Sequence, residues 1–198
     1  MEISAKIVKE LRDQTGAGMM NCKQALKEND GDFEKALKAL RLKGMATADK
    51  KSSRAANEGI IDCYIHTGSK LGIMIEVNCE TDFVARRDEF KELVKNVAMQ
   101  IASNPDVDIV STDDISDEMR NQEWEFESNK PDLVNKPEEI RNKIVEGRVT
   151  KALNSKVLLE QSYIREPNMT VDDLIKQKIA LLGENIKVKR FVRFELGS

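Results

Sequence analysis

At 198 residues the chain has room for one ordinary domain or two small ones with a sizeable core. Hydrophobic residues at 40% and charged residues at 34% describe a globular chain and exclude a disordered one. A net charge of −3 and a pI near 5.5 supply no general attraction to phosphate backbones, so no direct nucleic-acid partner is expected.

The first 45 residues predict three short helices. Ser4 can cap a helix with Ile7, Val8 and Leu11 on its apolar face, and Thr15-Gly16-Ala17-Gly18 breaks it. Met19 and Met20 open a second helix with Cys22, Ala25 and Leu26 inward. After the Asn29-Asp30-Gly31 turn, Asp32 is placed to cap a third, striped by Phe33, Ala36, Leu37 and Leu40 and ended at Gly44. Residues 46–57 (ATADKKSSRAAN) lack apolar periodicity and read as a basic, partly helical linker.

From Gly59 the period changes to two. Ile61, Cys63 and Ile65 share one face of a strand and Ile60, Asp62, Tyr64 and His66 the other. Thr67-Gly68-Ser69-Lys70 turns the chain into a second strand carrying Leu71, Ile73, Ile75 and Val77. The stretch NCETDFVARRDEF follows, Asn78 to Phe90. It sets an acid (Asp82) beside a large apolar ring (Phe83) between that strand and a helix capped by Asp88, with Phe90, Leu93, Val94, Val97 and Ile101 inward and a stop near Asn104-Pro105. Taken alone, these residues favour a plain role in which Phe83 folds back over the start of the helix.

Asp113 to Glu127 holds seven acids against one base, and Glu138 to Lys156 five bases against three acids. Joined by a connection containing Pro131 and Pro137, the two segments predict an antiparallel helical hairpin or short coiled coil at about 113–156. Its expected seam sets Ile115, Met119, Trp124 and Phe126 against Ile140, Ile144, Val145, Val149 and Leu153. Thr170 and Asp173 then signal a capping box for a helix ending near Gly183, and Ile186 to Leu196 reads as a closing strand. The expected fold class is α+β: a helical head (1–45), a linker (46–57), and a core (58–198) of order β-β-α(n)-β with a three-stranded antiparallel sheet.

Three stretches resemble a known family. Ile7-Val8-Lys9-Glu10-Leu11-Arg12 with Thr15-Gly16-Ala17-Gly18-Met19-Met20 and Cys22-Lys23-Gln24-Ala25-Leu26 looks like the ubiquitin-associated-type head of elongation factor Ts. NCETDFVAR is similar to that family's signature, and PEEIRNKIVEGRVTK to its coiled-coil arm; NIKVKRFVRFELG is similar to its closing strand. Long members carry two core repeats, and a single TDF motif here resembles the short, single-core type. The resemblance implies a guanine-nucleotide exchange factor for elongation factor Tu in translation elongation, acting on its GDP-bound and nucleotide-free forms. It implies that Phe83 enters a crevice between helices of the partner's nucleotide domain while Asp82 approaches the region that organises the partner's Mg²⁺. Thr81, Asp82, Phe83 and Val84 are then partner-binding, Lys9, Arg12, Met19 and Met20 are head contacts, and His66 is a further contact. A homodimer through the core sheet is also implied.

The residues offer no rival chemistry. Cys22, Cys63, Cys79 and the single His66 have no paired metal-ligand spacing, and no nucleophile–base pair, carboxylate dyad or P-loop is legible. No cofactor, metal site or covalent catalysis is expected. The opening MEISAKIVKEL lacks a basic region followed by an apolar run, and no segment has the apolar length to span a bilayer, so a cytoplasmic protein without membrane partners is expected. Two alternatives stand beside the exchange factor: an adaptor that binds through its ubiquitin-associated-like head alone, and a small-molecule enzyme built on His66 with Cys63 or Cys79.

Overall fold

The computed structural model describes residues 3–197. α1 (Ala5–Thr15) opens where Ser4 Oγ accepts the Ile7 N–H at 3.4 Å. It closes at Gly16, whose N–H donates to the Arg12 carbonyl at 2.7 Å. Glycine suits that position because φ is 66°, in the left-handed region. α2 (Met19–Glu28) and α3 (Phe33–Lys51) follow, the second capped by Asp32 Oδ1, which accepts the Lys35 N–H at 3.0 Å. Val8, Leu11, Cys22, Ala25, Leu26, Ala36 and Leu40 form the head's core, with Phe33 and Leu37 packed at its margin.

α3 does not end at Gly44. Helix continues through residues 46–51, the first half of the expected linker. The reason is tertiary. α8 (Val171–Leu182), the last helix of the chain, comes so close that a Cβ on Gly44 would lie 3.3 Å from Ala180 Cβ. Asp49 pairs with Lys176 of α8 at 2.9 Å, and Ala48 is buried. Small residues that look structureless in sequence are what permits this approach.

The chain divides into two units, Met1–Ala98 with Asp172–Ser198, and Met99–Val171. In the first, β1 (Glu58–Ile65), β2 (Leu71–Cys79) and the closing strand β5 (Lys187–Glu195) form an antiparallel sheet of order β1-β2-β5. Met74 stands opposite Cys63 on one side and Val192 on the other. Ile73, Ile75, Val77 and Cys79 of β2 are buried, as are Phe90, Leu93, Val94 and Val97 of α5 (Asp88–Ser103). Each such side chain contributes about 1.5–3 kcal/mol by leaving water. Asp88 lies in the first turn of α5 rather than ahead of it. The opposite sheet face carries Ile61, Cys63, Ile65, Met74, Val192 and Phe194, all exposed, although Ile61-Cys63-Ile65 is the more apolar side of β1.

In the second unit, α6 (Asp117–Ser128) packs against α7 (Glu138–Ser155) around Leu133, Val145, Val149 and Leu153, with Ile115, Met119 and Ile144 alongside. The expected seam is half right. Trp124, Phe126 and Ile140 are exposed, and the Phe126 ring instead receives Lys130 Nζ at 5.0 Å from its centroid. A helix advances about 100° per residue, so turning Phe126 outward turns Glu127 inward. Glu127 is 5% exposed, accepts from Lys130 Nζ at 2.6 Å, and has Arg148 at 3.8 Å. Arg148 also grips Asp132 with two bonds, 2.6 and 3.1 Å. A two-stranded hairpin, β3 (Ser162–Tyr163) with β4 (Glu166–Thr170), follows α7 and is unannounced in the sequence. Buried Gln100 holds it, donating to the Ser162 carbonyl at 3.1 Å and accepting from the Ile164 N–H at 2.9 Å.

Candidate functional site

The NCETDFVAR stretch ends β2 with Asn78 and Cys79 and then forms one turn of helix where a loop is expected: α4 spans Asp82–Ala85. Thr81 caps it, extended at φ −131° and ψ 154°, its Oγ accepting the Val84 N–H at 3.4 Å. The capped turn decides which side chain faces water. Val84 (7% exposed) and Ala85 point inward, which leaves Phe83 outward and 77% exposed. The plain role for Phe83, folded over the next helix, is therefore not what the chain does. Asp82 holds Arg86 one turn on at 2.7 Å, a solvated pair that orients the carboxylate without burying it.

The turn rests on residues that sequence reading passed over. The Glu184 carboxylate, between α8 and β5, accepts the Glu80 N–H (3.1 Å), the Thr81 N–H (3.0 Å) and the Thr81 hydroxyl (2.6 Å). The next residue, Asn185, is 1% exposed; its N–H donates to Glu80 Oε1 at 2.7 Å and its side-chain amide to the carbonyls of Ser52 (3.3 Å) and Arg54 (2.7 Å). Cys79 lies beneath, its thiol donating to the Thr81 carbonyl at 3.1 Å and pushed up to about 11 by burial and by the nearby Glu184 charge. A protonated, buried thiol is a packing group, not a nucleophile. The available signal was the pair Glu184-Asn185 directly after a helix-ending glycine, which is indistinguishable in sequence from an ordinary polar turn.

The other expected contacts lie elsewhere on the same unit. Lys9 and Arg12 are exposed on α1. Met19 and Met20 begin α2 and both face water, Met20 at 77% exposure, while Cys22 fills the core in their place. His66 is exposed at the β1–β2 turn, its Nδ1 3.0 Å from the Tyr64 hydroxyl. α4 itself packs against β1 and β2. The structure thus presents an apolar ring on a braced turn at one place and a methionine pair at another.

The sequence that builds this arrangement has relatives. The family model described as Elongation factor TS matches residues 2–198. The chain belongs to the elongation factor Ts family. It is 67% identical over 196 residues to the chloroplastic elongation factor Ts of Phaeodactylum tricornutum, covering 99% of this chain and 97% of that one. The chloroplastic elongation factor Ts of Rhodomonas salina is 61% identical (99% and 90% covered), and the elongation factor Ts of the bacterium Synechococcus elongatus is 59% identical (99% and 89%). Membership makes the chain a translation elongation factor. Among the described residues no helix is long and apolar enough to cross a membrane.

Proposed function

We propose that the chain promotes GDP release from elongation factor Tu, with Phe83 as the wedge. The observation that carries this reading is the 77% exposure of Phe83 on a turn fastened from below by Thr81 and Glu184. A large apolar ring held in water by a rigid support is poised for burial in another molecule, and holding it there beforehand spares ordering entropy at encounter. Phe83 enters a crevice in the partner's nucleotide domain, and Asp82, released from Arg86, approaches the region that organises the partner's Mg²⁺. Thr81 and Val84 act from beneath, Thr81 as the cap and Val84 as the buried foot of the turn. Met19 and Met20, with Lys9 and Arg12, form the head's contact, and His66 a further one.

No bond is made or broken. The factor binds nucleotide-free elongation factor Tu more tightly than the GDP form, and linkage then requires that it weaken GDP by the same factor. The exposed sheet face of Ile61, Ile65, Met74, Val192 and Phe194 supports a homodimer formed face to face between two such sheets. Relatives named chloroplastic stand beside bacterial ones, so the compartment we assign is the one housing bacterial-type translation: cytoplasm in a bacterium, stroma in a plastid. The adaptor reading gives the head all the binding and leaves Phe83 no task.

Stopped-flow release of a fluorescent GDP from elongation factor Tu tests the proposal. The rate should rise with added factor and saturate. Release no faster than the spontaneous rate, with the two proteins shown to bind, would support an adaptor instead.

A further inference from the structure

We infer that Glu184 is the positioning residue of the Phe83 wedge, and that the Gly183–Asn185 turn sets the wedge and the end of the head's last helix from one point. This rests on the exchange reading above.

A four-residue helix cannot hold itself. Nucleating a turn is unfavourable in water, and α4 is too short to recover that cost by propagation. Its direction must come from outside. The Glu184 carboxylate supplies it by taking the two backbone N–H groups that precede the turn and the Thr81 hydroxyl. With its proton committed to Glu184, the Thr81 Oγ lone pair is left facing the Val84 N–H, which closes the cap. Bonds from a charged acceptor are about twice as strong as neutral ones, and a carboxylate matches this fork of three donors. Remove it and the Glu80 and Thr81 N–H groups lose their acceptor while the cap loses its orientation. Phe83 then samples directions instead of presenting one.

The same short turn fastens the head. Lys51 Nζ, at the end of α3, donates to the Gly183 carbonyl. Asn185 takes up the Ser52 and Arg54 carbonyls just beyond, and its N–H binds the Glu80 carboxylate, which Arg54 also reaches at 3.5 Å. One three-residue turn therefore ends the path from α3 and begins the support of α4. The distance between the methionine pair and the wedge is set through it, rather than through a free tether.

The test measures GDP release against factor concentration for wild type, Glu184→Ala, Glu184→Gln, Phe83→Ala and the Glu184→Ala/Phe83→Ala pair. Backbone hydrogen exchange at Thr81 and Val84 and a thermal melt are recorded for each. A positioning residue predicts that Glu184→Ala lowers the maximal release rate by roughly five- to tenfold. It should leave the half-saturating concentration within about twofold and speed exchange at the Thr81 and Val84 amides. Glu184→Gln should restore the rate, since its oxygen can take both amides and its NH₂ can meet Thr81 Oγ. In the Phe83→Ala background the alanine substitution should cost clearly less than it does alone, because only Asp82 is left to aim. Full maximal rate in Glu184→Ala while Phe83→Ala is slow overturns the inference and leaves the exchange reading standing; so does an additive loss in the double variant. A fast Phe83→Ala overturns both. Should Glu184→Ala melt below the assay temperature, Glu184→Asp takes its place: it keeps the charge but is one methylene too short to reach both amides, and the same outcomes decide.

Discussion

Phe83→Ala is the perturbation that bears hardest on mechanism, because its two consequences can be separated. In the free protein the ring is 77% exposed, so its truncation removes little buried area and unfolding free energy should move by less than about 0.5 kcal/mol. In the complex the exposed share of the ring is what can be newly buried. Full burial of a Phe contributes about 1.5–3 kcal/mol, so the available 77% corresponds to about 1.2–2.3 kcal/mol. At 1.4 kcal/mol per tenfold this is a loss of roughly 7- to 45-fold in coupling between factor and GDP. The assay is stopped-flow release of fluorescent GDP from elongation factor Tu at saturating factor, beside a urea titration of the factor alone. A wild-type release rate would remove Phe83 from the mechanism. A fall in the unfolding midpoint as large as that of a core truncation would refute the premise that the ring is free.

Four further outcomes follow from the packing. Met74→Glu puts a charge at the centre of the exposed sheet face, opposite Cys63 and Val192, and should convert the proposed dimer to monomer by analytical ultracentrifugation, with a melting temperature that no longer depends on protein concentration. Arg148→Ala leaves buried Glu127 with Lys130 alone and frees Asp132; it should lower the urea midpoint of the arm, and the chain's one tryptophan, Trp124 in α6, reports it by fluorescence. Thiol reagents at pH 8 should label exposed Cys63 and spare buried Cys22 and Cys79 until unfolding. The Cys79 thiol is raised from 9.0 to about 11, so the folded state holds a proton that the unfolded state gives up first. Its stabilisation is complete below about pH 9 and is lost as pH climbs toward 11, and Cys79→Ala should remove that part of the alkaline decline.

Much of the fold could be read from local pattern. The head's stripes, the period-two strands, the glycine stop at Gly16 and the closing strand are all short-range signals, each decided by side chains within one or two turns of one another. Misreadings occurred where distant residues decide. Gly44, Ala46 and Ala48 look like a helix end and a linker because smallness is ambiguous in one dimension; against Ala180 it becomes a groove for α8. The arm's seam was placed one residue off at Phe126 and Glu127 because hydrophobicity alone chose the inward side, whereas Lys130 and Arg148 make an inward carboxylate tolerable. The strands Ser162–Tyr163 and Glu166–Thr170 carry no alternation of their own and exist through Gln100.

The sequence by itself determined the family, the order of the main helices and of the three sheet strands, and the location of the motif, because those are written in contiguous residues. It could not determine which way Phe83 faces, since a ring at a strand–helix junction can close over its own helix or stand in water. Tertiary structure decided that. Glu184, a hundred residues further on, receives the amides of Glu80 and Thr81 and so turns Val84 in and Phe83 out. The direction of one side chain is the difference between core filler and wedge. A hydrogen bond across the fold sets it, and no local pattern encodes that.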